Sequence, residues 1–213
     1  MRRILHIVLA ILCFTISFAQ QPHKIPFASS GNTIELAVVN ESARQVEGVK
    51  VAAKDVPSWV HITNTEQLLD QLKPNAEKNA VFTFSIDKTA PVDKEQRLMF
   101  TISTPSGETW TKEIAIIVAP PEKFELFQNY PNPFNPTTVF SFVVPISGNV
   151  TLKVYNVLGA EVATLIDAEV EAGYHEKVWN AGNVASGVYF YQAIYTNQQG
   201  KTSLERKRMM VVK

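Results

Sequence analysis

The feature that most restricts what this chain can fold into is an apolar alternation of period two. In "VFTFSI" (Val81–Ile86), Phe82, Phe84 and Ile86 fall on one side, with Thr83 and Ser85 on the other. In "EIAIIV", Ile114, Ile116 and Val118 repeat the pattern. Successive strand side chains point to opposite faces, so such a run buries one face only as part of a sheet. The same reading gives strands at Ile34–Val39, Val46–Ala53, Trp59–Thr63, Leu98–Ser103 and Lys112–Val118. Asn40-Glu41-Ser42, Lys73-Pro74-Asn75 and Thr104-Pro105-Ser106-Gly107 supply turn chemistry between them. One stretch departs: Thr65–Leu72, "TEQLLDQL", reads as a helical turn capped by Thr65. Short strands at this spacing predict a β-sandwich.

The N-terminus is read apart from the fold. Met1-Arg2-Arg3 is a basic start, Ile4–Phe18 an almost unbroken apolar run, and Ser17-Phe18-Ala19 a small-residue cleavage site. The run is ~15 residues, short of the ~20 of a spanning helix, so 1–19 is read as a cleavable secretory signal peptide. Leu12 before Cys13 argues against a lipoprotein site, and the sole cysteine leaves with the leader. The mature chain then has no disulfide, thiolate ligand or cysteine nucleophile. Removing Arg2 and Arg3 from 20 basic residues, against 20 acidic ones, leaves a small negative charge. A nucleic-acid partner needs a basic face, and none is expected. Gln20–Ser30 reads as a loose leader.

Ala119-Pro120-Pro121-Glu122-Lys123 has adjacent prolines and no apolar period, and reads as a linker. Strand patterns return at Val139–Val144, Val150–Tyr155, Glu161–Leu165, His175–Trp179, Val188–Tyr195 and Leu204–Val212, with a hairpin turn at Asn156–Gly159. Ahead of them lies "FQNYPNPFNPTTVFSF" (Phe127–Phe142), where Pro131, Pro133 and Pro136 fall within six residues. Proline fixes φ, lacks an N–H and biases the preceding residue toward extended geometry. Tyr130–Pro136 is therefore expected to be stiff and extended, a rigid spacer with Tyr130 and Phe134 docked on the following sandwich.

Several motifs combine in this half: N-Y-P-N-P-F-N-P at Asn129–Pro136, V-Y-N-x-x-G at Val154–Gly159, A-G-x-H at Ala172–His175, Trp179, and S-G-V-Y-F-Y at Ser186–Tyr191. Together they make Phe124–Lys213 resemble the type A C-terminal sorting domain of the type IX secretion system, which is similar to the Ig-like module of flagellar hook-capping proteins. The ending "ERKRMMVVK" is more basic than that family's pattern. The resemblance implies an Ig-like fold read by an outer-membrane translocon. It also implies a sortase-like peptidase that cuts before Phe124 and links the cargo to surface lipopolysaccharide. Carried over residue by residue, sorting recognition falls on Pro131, Asn132, Pro133 and Phe134, on Gly187 and Tyr189, and on Lys207 and Lys213.

The expectation is an all-β chain: two Ig-like β-sandwich domains joined by a Pro-rich linker after a cleavable signal peptide. The signal peptide is 1–19, the Ig-like passenger 28–118, the linker 119–123 and the sorting domain 124–213. The passenger weakly resembles Ig-like modules of secreted bacterial proteins, through "DVPSWVHI" and "FSIDKTAP". His23, His61 and His175 have no metal-ligand spacing, and neither a G-x-S-x-G elbow nor a phosphate-cradling loop occurs. No catalytic, metal or cofactor site is expected, and Asp87 and Asp93 read as turn carboxylates. Trp59 is the candidate ligand platform, with a glycan as its ligand. Export through the inner membrane to the cell surface or medium is expected. Two other readings stay open: a carbohydrate-binding or adhesive surface module with an aromatic patch at Trp59 or Trp110, and a periplasmic structural Ig-like protein.

Overall fold

The computed structural model describes the backbone of residues 4–10 and residues 21–213 in full. Every regular element among them is a strand. Of the segment read as a signal peptide, only Ile4–Ala10 is described; the rest, Cys13 included, lies outside the described residues. The chain divides into two compact units, Met1–Ala119 and Pro120–Lys213.

The N-terminal unit contains β1 (Ile4–Ala10), β2 (His23–Ile25), β3 (Asn32–Val39), β4 (Val46–Lys54), β5 (Val60–Ile62), β6 (Glu66–Leu72), β7 (Glu77–Ile86), β8 (Glu95–Ser103) and β9 (Thr109–Val118). They form two sheets, ordered β1-β3-β7-β5 and β2-β9-β8-β4-β6. The alternation decides which side chains meet. Ile34 and Leu36 of β3 with Phe82 and Phe84 of β7 are buried, as are Leu98, Phe100 and Ile102 of β8 and Ile114 and Ile116 of β9. Phe82 and Phe100 touch across the sheets with ring centroids 4.9 Å apart. Burying each such ring contributes about 1.5–3 kcal/mol.

Two expectations are corrected here. Thr65–Leu72 is not a helical turn: Glu66–Leu72 is β6, antiparallel to β4 from Val46↔Leu72 to Ala52↔Glu66. The three-residue spacing of buried Leu69 and Leu72 imitates a helix face, but the pairing partner lies some twenty residues back, where local propensity cannot see it. Gln20–Ser30 is not a loose leader throughout, because His23–Ile25 pairs in parallel with Ile116–Val118 of β9.

The C-terminal unit contains β10 (Glu125–Leu126), β11 (Thr137–Val144), β12 (Gly148–Asn156), β13 (Glu161–Val170), β14 (Gly173–Asn180), β15 (Gly187–Asn197) and β16 (Thr202–Val211). Its sheets are β10-β11-β14 and β13-β12-β15-β16. Phe140 and Phe142 of one sheet share a core with Leu152, Val154, Tyr191 and Met209 of the other. The expected hairpin turn is present. Asn156 Oδ1 accepts from the Leu158 and Ala160 N–H groups, and Gly159 takes φ +79°. The last strand is in continuous antiparallel register with β15, from Gly187↔Val211 to Thr196↔Thr202.

A close backbone approach lies at Gly148. A Cβ there would stand 2.5 Å from the Thr196 carbonyl oxygen and 2.9 Å from Asn197 Cα, so β12 and β15 would have to part. Gly148→Ala should destabilise the C-terminal unit by about 1–3 kcal/mol, read as a lower urea midpoint. An unchanged midpoint would show that the two strands separate freely at this end.

Candidate functional site

The proline-rich segment leads into β11. It is bent rather than extended, a correction to the expected rod, and the Tyr130–Pro131 and Asn132–Pro133 peptide bonds are both cis. Phe134 docks as expected, with 2% of its surface exposed, whereas Tyr130 does not and is 80% exposed. Tyr130 is held through its backbone alone, its N–H and C=O pairing with Val139 at 3.0 and 2.9 Å.

Prolines leave a segment short of N–H groups, and side chains complete the bonding here. Asn129 is 1% exposed and Thr138 fully buried. Asn129 Nδ2 donates to the Pro131 carbonyl at 3.1 Å and to Thr138 Oγ1 at 2.9 Å, and Thr138 Oγ1 donates to the same carbonyl at 2.9 Å. The Asn129 N–H donates to the Tyr191 hydroxyl, which itself donates to the Phe127 carbonyl, each at 2.9 Å. Tyr191 therefore has its ring in the core, 4.7 Å from Phe140, and its hydroxyl on the lead-in segment. Burial pushes its phenol up to about 12, against a smaller lowering by the Asn129 hydrogen bond.

The segment then covers the outer edge of β16. The Phe134 N–H donates to the Met210 carbonyl at 3.1 Å, and the Val212 N–H returns to the Phe134 carbonyl at 2.9 Å. Asn132 Oδ1 accepts from the Met210 N–H at 2.9 Å, and its Nδ2 donates to the Arg208 carbonyl at 3.4 Å. Gln128 Nε2 reaches the same carbonyl at 2.9 Å. Further along, Glu205 Oε2 accepts from the Leu126 N–H at 3.0 Å. An uncovered strand edge invites pairing with other chains, and this one is occupied from within.

The structure brings most of the sequence-derived sorting residues to this corner. Asn132, Pro133 and Phe134 lie against Arg208–Val212. Gly187, at φ +155°, sits opposite Val211, and Tyr189 opposite Met209, its hydroxyl donating to the Ala185 carbonyl at 2.9 Å. Lys213 closes the chain end, its N–H reaching Ser186 Oγ at 3.1 Å and its Nζ the Gly182 carbonyl at 2.8 Å. Pro131 contributes the carbonyl shared by Asn129 and Thr138. Lys207 stands apart, opposite Tyr191 on the inward-facing phase of β16. Trp59 belongs to the other unit, half-buried in the turn before β5, where its carbonyl accepts from Asp87 N–H at 2.8 Å. Asp87 is itself engaged by Thr89 N–H and Oγ1, which lower its pKa, with His61 adding a lesser lowering. Sequence reasoning gave no role to Gln128 and Thr138, and placed Asn129 in the motif without its bonding role. The available signal was an amide and a hydroxyl flanking a segment with too few N–H groups.

The C-terminal unit is thus a β-sandwich whose last strand is closed by its own lead-in segment. Residues 128–209 match the family model of the secretion system C-terminal sorting domain, so this unit is a sorting domain of the type IX kind. That domain marks proteins exported to the cell surface or the extracellular space. No curated protein matches the chain. Among solved structures it is similar to dimeric latent PorU from Porphyromonas gingivalis, at 12% identity and TM-score 0.36, over 95% of this chain and 20% of that one. The chain thus spans about a fifth of that protein's length. It is also similar to the E. coli chaperone DraB (18% identity, TM-score 0.32, over 92% of this chain and 96% of that one). The CupB2 chaperone of Pseudomonas aeruginosa is a further case, at 14% identity and TM-score 0.28, over 89% of this chain and 98% of that one.

Tyr191→Phe leaves the Asn129 N–H and the Phe127 carbonyl without their partner and should cost about 1–3 kcal/mol. The phenol also sets a sign for base sensitivity. Its pKa is raised from 10.0 to about 12, so the unfolded chain loses this proton first. This contribution to stability is complete below pH ~10 and falls as pH rises toward about 12. Urea midpoints measured across that window should fall less steeply for Tyr191→Phe than for the native chain. Parallel slopes would remove Tyr191 from the alkaline response.

Proposed function

We propose that residues 124–213 are the signal by which the type IX translocon exports this protein, and that residues 28–118 are an Ig-like passenger without catalytic activity. The observation that carries this reading is the corner just described. Asn132, Pro133, Phe134, Gly187, Tyr189 and Lys213 come from three separate stretches of sequence and gather around the end of β16. Side chain–backbone bonds fix that corner before any partner arrives, which lowers the ordering cost of recognition. Lys207 adds charge along the same strand. Residues 119–123 serve as the linker in which a sortase-like peptidase cuts, leaving the passenger to be joined to surface lipopolysaccharide. A passenger without chemistry is supported by Asp87, the carboxylate near His61, whose oxygen is committed to its own turn by Thr89 N–H and Oγ1.

The test is localisation in the native host of the full chain and of a version truncated after Lys123, each with an internal tag in the passenger. The full chain should reach the surface or medium, and the truncation should stay in the periplasm. Passenger mass at the surface reports cleavage. A double substitution, Asn132→Ala with Lys213→Ala, should lower surface yield several-fold while the purified protein stays folded. Equal periplasmic retention of full and truncated chains would overturn the reading in favour of a periplasmic structural protein.

A further inference from the structure

We propose that the N-terminal unit binds a small aromatic amine in a cavity at the β8–β9 hairpin end of its sandwich. The cavity has a volume of about 110 Å³. Its floor is the sealed core: Val38 of β3, Val49 of β4 and Leu72 at the end of β6, all buried. Its walls are Val46 and Trp110, both half-buried. Trp110 shares the inward phase of Ile114, Ile116 and Val118 on β9, but lies beyond the point where that face is fully covered.

The mouth is polar and already ordered. Asn40 is 5% exposed. Its Nδ2 donates to the carbonyls of Arg44, Leu72 and Lys73 at 2.8, 2.9 and 3.2 Å. Its Oδ1 accepts from Ser42 N–H and Oγ at 3.1 and 2.7 Å. With both ends of this amide engaged, the rim cannot fold inward without breaking several bonds. Across the mouth, the hairpin tip closes through Thr104 N–H to the Glu108 carbonyl at 3.0 Å. The Glu108 carboxylate receives long contacts from Thr104 Oγ1 at 3.5 Å and Ser106 Oγ at 3.3 Å. No cation among the described residues pairs with it.

Size and charge together select the ligand. A closed apolar cavity of ~150 Å³ takes a benzene molecule; the space here, about 110 Å³, is smaller but open at its mouth, so it takes at most one phenyl ring, with part of the ring and its substituent projecting outward. An apolar floor offers a sugar ring's hydroxyls no partners, and their burial unpaired would be costly. A carboxylate at the rim favours a cationic substituent and disfavours an anionic one. This inference stands whether or not the C-terminal unit acts as a sorting signal.

Benzylamine is the probe, titrated into the ¹⁵N-labelled full chain while the Trp110 indole N–H peak is followed. That peak is assigned by its loss in Trp110→Phe. Benzylamine should shift it saturably, with benzyl alcohol several-fold weaker and benzoate inert. Glu108→Gln should weaken benzylamine about fivefold, the range of a partly exposed charge pair, and leave benzyl alcohol unchanged. Val46→Phe, which fills the mouth, should abolish the shift while the rest of the spectrum persists. If Val46→Phe unfolds the unit, the Glu108→Gln comparison decides alone. Failure to saturate, equal binding of benzylamine and benzoate, or an oligosaccharide saturating the same peak would each overturn the proposal.

Discussion

A segment carrying three prolines in six residues has too few N–H groups to enter a sheet as an ordinary strand. The C-terminal edge of this protein depends on how that deficit is met. Asn129, Thr138 and the Tyr191 hydroxyl take the places that a partner strand would fill inside the unit, while Gln128 and Asn132 do so at its edge. Tyr191 makes the two halves of this arrangement one. Its ring packs on Phe140 in the core, so the position of the lead-in segment is set by the same contacts that hold the sheets together. A buried polar network is worth having only when every member is satisfied, and here each of these groups has its partner.

The same constraint explains why β16 ends a sheet without presenting an open edge. Its outward backbone groups at Arg208, Met210 and Val212 meet side-chain amides and one short run of backbone at Phe134. A segment made of amides and prolines can cap an edge but cannot extend the sheet further, since its own far side offers so few donors. Arg206 and Arg208, both exposed, add charge beside the capped edge, and Arg206 is steadied by Gln192 Oε1. The cap and the charges both discourage strand-to-strand association with other chains.

The strands were legible because alternation is a local property. Phe82, Phe84 and Ile86 declare β7, and Tyr189, Tyr191, Ala193 and Tyr195 declare β15, without knowledge of their partners. What was not legible was long-range. β6 looks helical until β4 supplies its register, and His23–Ile25 looks like a leader until β9 pairs with it. The candidate corner divides in the same way. Phe134 and Gly187 carry their own signals, an aromatic among prolines and a glycine at a strand start. Asn129 and Thr138 gain meaning only when a bend brings them together with the Pro131 carbonyl. Tyr130 was misplaced for the opposite reason: a large aromatic in a stiff segment suggests docking, but its direction depends on bends that residue types alone do not specify.

Tyr191 and Trp110 show how a large aromatic is covered in one sandwich and left beside a cavity in the other. Both are large amphipathic aromatics on the inward phase of a strand. Tyr191 is covered because Phe127–Asn129 passes over its hydroxyl and supplies both a donor and an acceptor. Trp110 lies at a sandwich end framed by the 40–44 loop and the 104–108 hairpin, whose side chains bond to one another and to the backbone rather than to the indole. A loop whose amide is already fully used cannot also move in to fill space, so the rim's own order keeps the cavity open. Closing it would take an apolar group from outside the loops, with its polar end left at the Glu108 carboxylate.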